Sequence, residues 1–204
     1  MEEKNIKNNS SEEWFNKLEK KKKNSVATFI FELIKVVLIS VAIVVPVRYF
    51  LIQPFLVKGA SMEPNFHDKE YLIINEIGYR IDPPQRGDVV VIRYPKDPKQ
   101  YFLKRVIGLP NETIKINDGE VFIYNSENPQ GFRLEESYLE EGVDTYGAID
   151  VSLKGNEYFV LGDNRQFSLD SRIFGTVDKN LIVGRAWIRG WPFSKFGMIE
   201  HATY

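Results

Sequence analysis

From residue 55 onward, apolar positions come in short runs broken by Gly, Pro, Asn and Asp. The runs at 71–75, 89–93, 102–107, 113–116, 121–124, 158–161 and 182–188 are rich in Val, Ile, Tyr and Phe, the composition of β-strands. Their spacing and turn residues predict a mainly β, antiparallel sandwich or barrel-like domain, not alternating βαβ units. Asn117-Asp118-Gly119 lies between two of these runs and predicts a hairpin. Residues 125–154 differ: they are polar, mostly acidic and poor in apolar periodicity. They read as an excursion from the sheet core, with one irregular strand pair and no chemistry of its own.

The N-terminal pattern is of another kind. Residues 1–27 are polar and carry the run Lys20-Lys21-Lys22-Lys23, and residues 28–50 are mostly Ile, Val, Leu, Phe and Ala. Glu32 and Lys35 interrupt the apolar segment one helical turn apart, so they can pair, and Lys35 can extend toward headgroups. Counted with them, the segment reaches roughly 20 residues, the length that crosses the hydrocarbon. Arg48 and Tyr49 would mark its far interface. The lysine run in front predicts a cytoplasmic N-terminus. The expected organisation is a cytoplasmic tail over 1–27, a single transmembrane anchor over 28–50 and an extracytoplasmic domain over 51–204. A cleaved signal peptide and a buried soluble helix are the alternatives. A cleaved peptide needs small residues after the apolar run, where Val47, Arg48, Tyr49 and Phe50 stand.

Composition narrows the chemistry. The chain has 204 residues and 43% hydrophobic content, enough for one core-bearing domain and an appendage. A net charge of -1 offers no electrostatic case for nucleic acid. There is no cysteine, so disulfides, thiolate nucleophiles and Cys-based zinc sites are excluded. There are only two histidines and no metal-ligand cluster in the sequence. His67 follows Ser61 by six residues, but closeness in sequence is not geometry, and a surface histidine fits as well. His201, near the terminus, suggests no role.

A serine–lysine pair remains. Ser61 sits in the small-residue turn Gly59-Ala60-Ser61-Met62-Glu63-Pro64. Such a turn can present a hydroxyl together with its own backbone N–H as an oxyanion donor. Lys104 sits in the apolar run Tyr101-Phe102-Leu103-Lys104-Arg105-Val106-Ile107-Gly108. In a strand, Phe102, Lys104 and Val106 share one face. A lysine among apolar neighbours is desolvated, which favours the neutral amine, a base able to activate a hydroxyl. An edge-strand lysine in solvent and an ordinary turn serine also fit these residues. The loop from Gly162 to Arg172 follows the run at 158–161 and holds Asp163, Arg165, Asp170 and Arg172, which should pair. Its Ser168 could orient the lysine amine.

In order, these stretches resemble the bacterial type I signal peptidases, and most closely their Gram-positive members. Ser61-Met62-Glu63-Pro64 is similar to the nucleophile box, and Gly87-Asp88-Val89-Val90-Val91 to the next strand box. The run from Tyr101 to Pro110 is similar to the general-base box, and that from Gly162 to Gly175 to the last box. The resemblance implies a membrane-anchored serine endopeptidase that removes signal peptides from exported preproteins after small residues, Ala-x-Ala. It implies Ser61 as nucleophile with its N–H as oxyanion donor, Lys104 as general base and Ser168 as its orienting partner. Arg105, Asp163, Asp170 and Arg172 would brace the site. Phe55, Val57, Gly59, Met62, Phe66, Phe102 and Leu103 would line the substrate pockets. It implies no cofactor and no metal, with preprotein signal peptides and the lipid bilayer as partners of a monomeric catalytic unit.

Two positions depart from the pattern. Gly59 stands where some relatives carry a serine that helps hold the oxyanion, and Asn65 stands in place of a common threonine. Two rival readings are a self-cleaving serine–lysine protease of the repressor type and a membrane-anchored β-rich binding module. The first is soluble with a DNA-binding head, against which the lysine-flanked apolar segment speaks. The C-terminal run Trp187-Ile188-Arg189-Gly190-Trp191-Pro192-Phe193 is expected to pack in the core, with a membrane-facing rim at Trp191 and Phe193 as the alternative.

Overall fold

The computed structural model describes residues 3–46, 52–76, 78–200 and 202. The chain divides into two compact units, Met1–Arg48 and Tyr49–Tyr204. The first is a single helix, α1 (Glu3–Pro46), which runs through the polar segment and the lysine run as well as the apolar segment. Its stretch Thr28–Val45 has a mean hydropathy of 2.5 and no burial, and among the described residues it is the one helix long and apolar enough to cross a membrane. Glu32 and Lys35 form no ion pair there, contrary to the expectation from their spacing. Arg48, Tyr49 and His201 lie outside the described residues.

The second unit is built from β1 (Ile52–Leu56), β2 (Tyr71–Asn75), α2 (Gly78–Ile81), β3 (Val89–Tyr94), β4 (Asp97–Gly108), β5 (Thr113–Asn117) and β6 (Glu120–Tyr124). Then come β7 (Phe132–Arg133), β8 (Ile149–Ser152), β9 (Glu157–Leu161), α3 (Ser171–Phe174), β10 (Val177–Asp178), β11 (Ile182–Trp191) and β12 (Gly197–Met198). Among the described residues they form two antiparallel sheets, as the strand spacing predicts. The larger runs β1-β2-β11-β3-β4-β9-β10, with β12 against β11, and the smaller runs β7-β6-β5-β8. The seven predicted runs are all strands. The unpredicted β1 contains Pro54, which cannot donate to a ladder and is tolerated because β1 is an edge strand.

Alternation sorts the core. Val89, Val91 and Leu103 pack with Val57, Met62 and Phe66, while Val90, Ile92 and Val106 pack with Tyr158 and Val160. The first cluster matters for function because it buries Met62 to 1% exposure, directly after Ser61. Burying such a side chain is worth about 1.5–3 kcal/mol, so the serine turn is anchored by its neighbour. A third cluster joins Ile107, Phe159 and Leu161 to Ile114, Ile116, Val121 and Ile123 of the smaller sheet. The β5–β6 hairpin closes with Asn117 opposite Glu120, leaving Asp118 (φ 49°) and Gly119 (φ 83°) as its turn. Two successive positive φ values are what this tight hairpin turn requires.

Two expectations are corrected. The excursion 125–154 holds strands β7 and β8, but they do not pair with each other; they flank the β5–β6 hairpin on either side. Trp191 and Phe193 are not core residues: they are 49% and 75% exposed and pack edge to face on each other. β11 ends at Trp191, so the chain has left the sheet before Phe193.

Candidate active site

Ser61 opens the turn after β1, and Lys104 lies in the middle of β4, paired with Val90 of β3. Lys104 is 2% exposed and its Nζ donates to Ser61 Oγ at 2.8 Å and to the Leu103 carbonyl at 2.9 Å. The Phe102 ring, on the same strand face, lies 5.5 Å from Nζ. Burial pulls the Lys104 pKa down from the usual 10.5 to about 8; Asp170 and Asp163 oppose the shift and Arg172 assists it. At neutral pH a lysine near 8 is deprotonated in roughly a tenth of molecules, against well under a thousandth for an ordinary one.

The turn is held from the loop after β9. The Asn164 N–H donates to the Ser61 carbonyl at 3.1 Å, and its Nδ2 donates to the Ala60 carbonyl at 3.0 Å. These contacts leave the Ser61 N–H without a hydrogen bond among the described residues, so it can donate to a bound oxygen. The Gly59 N–H cannot, because it donates to Asp68 Oδ1 at 2.9 Å. A side chain at Gly59 would meet open space, but its φ of 84° favours glycine.

The four charged residues expected to brace the site form two ion pairs, Arg105 with Asp163 and Arg172 with Asp170. Arg105 makes two bonds to Asp163, Nε to Oδ1 at 2.8 Å and Nη2 to Oδ2 at 2.6 Å, and a third to the Gly87 carbonyl. Asp170 accepts the Gly162 N–H and two guanidinium bonds from Arg172. Both carboxylates are fully buried, so each depends on its arginine.

Ser168 is buried beside Gly162, but it does not bond Lys104. Its Oγ has no hydrogen-bond partner among the described residues, and the Leu103 carbonyl takes the lysine proton instead. His67 faces Glu63, 3.7 Å away, and no Ser61–His67 pair forms.

A groove of about 610 Å³ opens at the pair. It is lined by Phe55, Val57, Met62, Phe102 and Leu103, five of the named pocket residues, together with Pro54, Leu56, Lys58, Lys99, Gln100 and Tyr101. Gly59 and Phe66 do not line it. The tight turn in which the Phe66 N–H donates to the Met62 carbonyl sends the Phe66 ring into the core, under the Arg189 guanidinium.

Sequence reasoning missed the residues that tie the excursion to this site. Asn65 Nδ2 bridges Asp163 Oδ2 and the Tyr138 carbonyl, 2.9 Å from each. The Tyr138 ring stacks 3.9 Å from the Arg105 guanidinium. Arg165 joins Glu136, Thr145 and the Gly162 carbonyl. The excess of acidic residues in 125–154 was the available signal, since buried arginines need such partners. The expectation of a solvated loop is therefore corrected at Glu136, Tyr138 and Thr145.

Residues 30–191 match the sequence model of the family described as signal peptidase, peptidase S26. The chain belongs to this family. It is 36% identical over 185 residues to signal peptidase I of Bacillus licheniformis, covering 85% of this chain and 93% of that protein. It is 31% identical over 174 residues to signal peptidase IB of Staphylococcus aureus, covering 78% and 90%. A crystal structure of a signal peptidase I from Enterococcus faecalis is 30% identical, with a TM-score of 0.43, covering 52% of this chain and 97% of that one. As a family member the chain is a serine endopeptidase of the signal-peptide-cleaving kind.

Proposed function

We propose that this signal peptidase works through a Ser61–Lys104 dyad and cuts preproteins after Ala-x-Ala. The observation that carries the reading is the 2.8 Å contact between a buried lysine amine and the serine hydroxyl. With Lys104 neutral, Ser61 Oγ attacks the scissile carbonyl carbon as its proton passes to Nζ. The tetrahedral oxyanion is held by the Ser61 N–H. The C–N bond then breaks, and Lys104 returns the proton to the leaving amine. Water attacks the resulting ester, giving its proton to Lys104, and Ser61 is released when the proton comes back to Oγ. No step calls for a metal or cofactor.

Ser168 serves as the orienting group for Lys104 once its hydroxyl turns to the amine, a bond it does not make in this structure. Two of the three ammonium donors are used, and a buried hydroxyl without a partner is costly, so the two groups can satisfy each other. Arg105, Asp163, Asp170 and Arg172 keep the loop and the strand in register.

The groove takes the substrate as an extended strand. Among the described residues, β1 is the last strand of its sheet and β4 has a β9 partner only from Arg105 onward, so both present free backbone edges. Phe55, Val57, Met62, Phe102 and Leu103 narrow its floor and admit small side chains.

Residues 28–50 are the anchor, with residues 1–27 cytoplasmic and 51–204 outside, as a monomeric catalytic unit at the bilayer surface. An unburied apolar stretch behind a lysine run supports this. The exposed Trp191 and Phe193 rings support a membrane-facing rim.

The test is precursor cleavage by the full chain with Ser61→Ala and Lys104→Ala. Both variants should lose processing. Cleavage at the parent rate by either one removes the dyad.

A further inference from the structure

The groove at Ser61 and Lys104 is lined by two further lysines, Lys58 and Lys99, and, among the described residues, by no carboxylate. Both are exposed, and neither makes an ion pair, side-chain hydrogen bond or ring contact among the described residues. Asp68, which bonds the residue after Lys58, and Asp97, two residues before Lys99, are engaged by neutral donors. Asp68 accepts the Gly59 N–H at 2.9 Å. Asp97 accepts the Lys99 N–H at 3.2 Å and Gln100 Nε2 at 2.9 Å. An apolar groove thus carries two unpaired cations along its walls, in addition to the buried Lys104.

Their positions along the groove follow from strand geometry. Lys99 precedes Lys104 by five residues on β4, about 17 Å at the rise of a strand. Lys58 precedes Ser61 by three residues, within about 10 Å of chain. An extended substrate rises by about the same 3.3 Å per residue, so it passes both cations within about five residues of the cut.

We propose that Lys58 and Lys99 are specificity-determining residues that select substrates by charge. A carboxylate side chain in the five residues before the cleaved bond is favoured, and a lysine or arginine there is rejected. The proposal rests on the reading that this groove holds the residues before the cut. Cations along an apolar cleft concentrate their field on whatever enters it. An opposite charge lowers the energy of the bound peptide and a like charge raises it, while the pockets for small residues are untouched.

The test compares three synthetic peptides that differ only at the residue between the two alanines of Ala-x-Ala, carrying Glu, Gln or Lys. A second set moves the charge to the fifth residue before the cut. Full-length enzyme is assayed in detergent at low and high salt. The ratio of kcat/KM for the Glu peptide to that for the Lys peptide is read within each preparation, which cancels differences in folding. The parent should favour Glu by roughly three- to tenfold at low salt, the size expected of exposed charge pairs, with the ratio falling as salt rises. Lys58→Gln with Lys99→Gln should bring the ratio near one, and Lys58→Glu with Lys99→Glu should invert it. Cleavage with the same ratio in parent and double variants overturns charge selection and leaves the peptidase reading standing. No Ser61-dependent cleavage of even the Gln peptide overturns the peptidase reading itself.

Discussion

The backbone N–H of Asn164 donates to the carbonyl oxygen of Ser61 at 3.1 Å, joining two residues more than a hundred positions apart. The Asn164 side chain adds a second bond to the Ala60 carbonyl. The serine turn is therefore held by the loop after β9 as well as by Met62 beneath it. Asn164→Ala keeps the backbone bond and removes the side-chain one. It should lower kcat/KM for a precursor peptide by about three- to tenfold, the worth of one ordinary hydrogen bond, and lower Tm slightly.

Activity should follow the neutral fraction of Lys104. Below about pH 8, kcat/KM should fall tenfold per pH unit, and above it the profile should level. The surrounding charges give the midpoint two opposite handles. Arg172 lowers the lysine pKa, so Arg172→Gln should move the midpoint up; Asp163 raises it, so Asp163→Asn should move it down. A midpoint near 10 in the parent would mean that Lys104 is solvated.

The same burial has a signature in stability. The unfolded chain holds the Lys104 proton up to about 10.5, and the folded one releases it near 8. Between those values the unfolded state binds more protons, so stability rises with pH, and it is lost again as pH falls through 8. Lys104→Met should abolish this rise, which amounts to about 3 kcal/mol. Denaturant unfolding of parent and variant across pH 7.5–11 measures the difference (the range is roughly the titration window).

Gly162 has no room for a side chain. A Cβ there would fall inside van der Waals contact of Ser168 Oγ and of the Ser61 carbonyl oxygen. Gly162→Ala should push the serine turn away from Lys104 and cost about 100-fold in kcat/KM, as small displacements of reacting groups do. Gly197→Ala, where a Cβ meets open space, is the control.

Glu136 should matter despite lying in the polar excursion. Its carboxylate neutralises Arg165, whose side chain is fully buried. Glu136→Gln removes the carboxylate bonded to that guanidinium and should destabilise the domain by about 3 kcal/mol. Because Arg165 Nε also donates to the Gly162 carbonyl, cleavage should fall with it.

Much of this was legible from the residues. The β-runs at 71–75 and 113–116 declared themselves by composition and by the turns around them. Ser61 and Lys104 stood out as candidates through the ordered boxes, and alternation along β4 put Lys104 with Phe102 and Val106. What was not legible depended on direction and distance. Phe66 reads as a pocket residue until the turn closes and sends its ring toward Arg189. Ser168 reads as the partner of Lys104, but in the folded chain the amine bonds Ser61 and the Leu103 carbonyl, and Ser168 has yet to turn to it. The acidic excursion reads as solvated because a lone Glu136 carries no sign of the arginine it will meet.

The sequence by itself determined the strand periodicity, the apolar N-terminal segment, the absence of thiol chemistry and the candidate serine and lysine. These are local properties, set by side-chain type and by spacing over a few residues. Only the tertiary structure decided that Lys104 is desolvated, that Asn164 holds the Ser61 carbonyl, and that Lys58 and Lys99 share a groove without carboxylates. Each of these depends on groups far apart in the chain, and burial and charge pairing exist only once the sheets have closed around them.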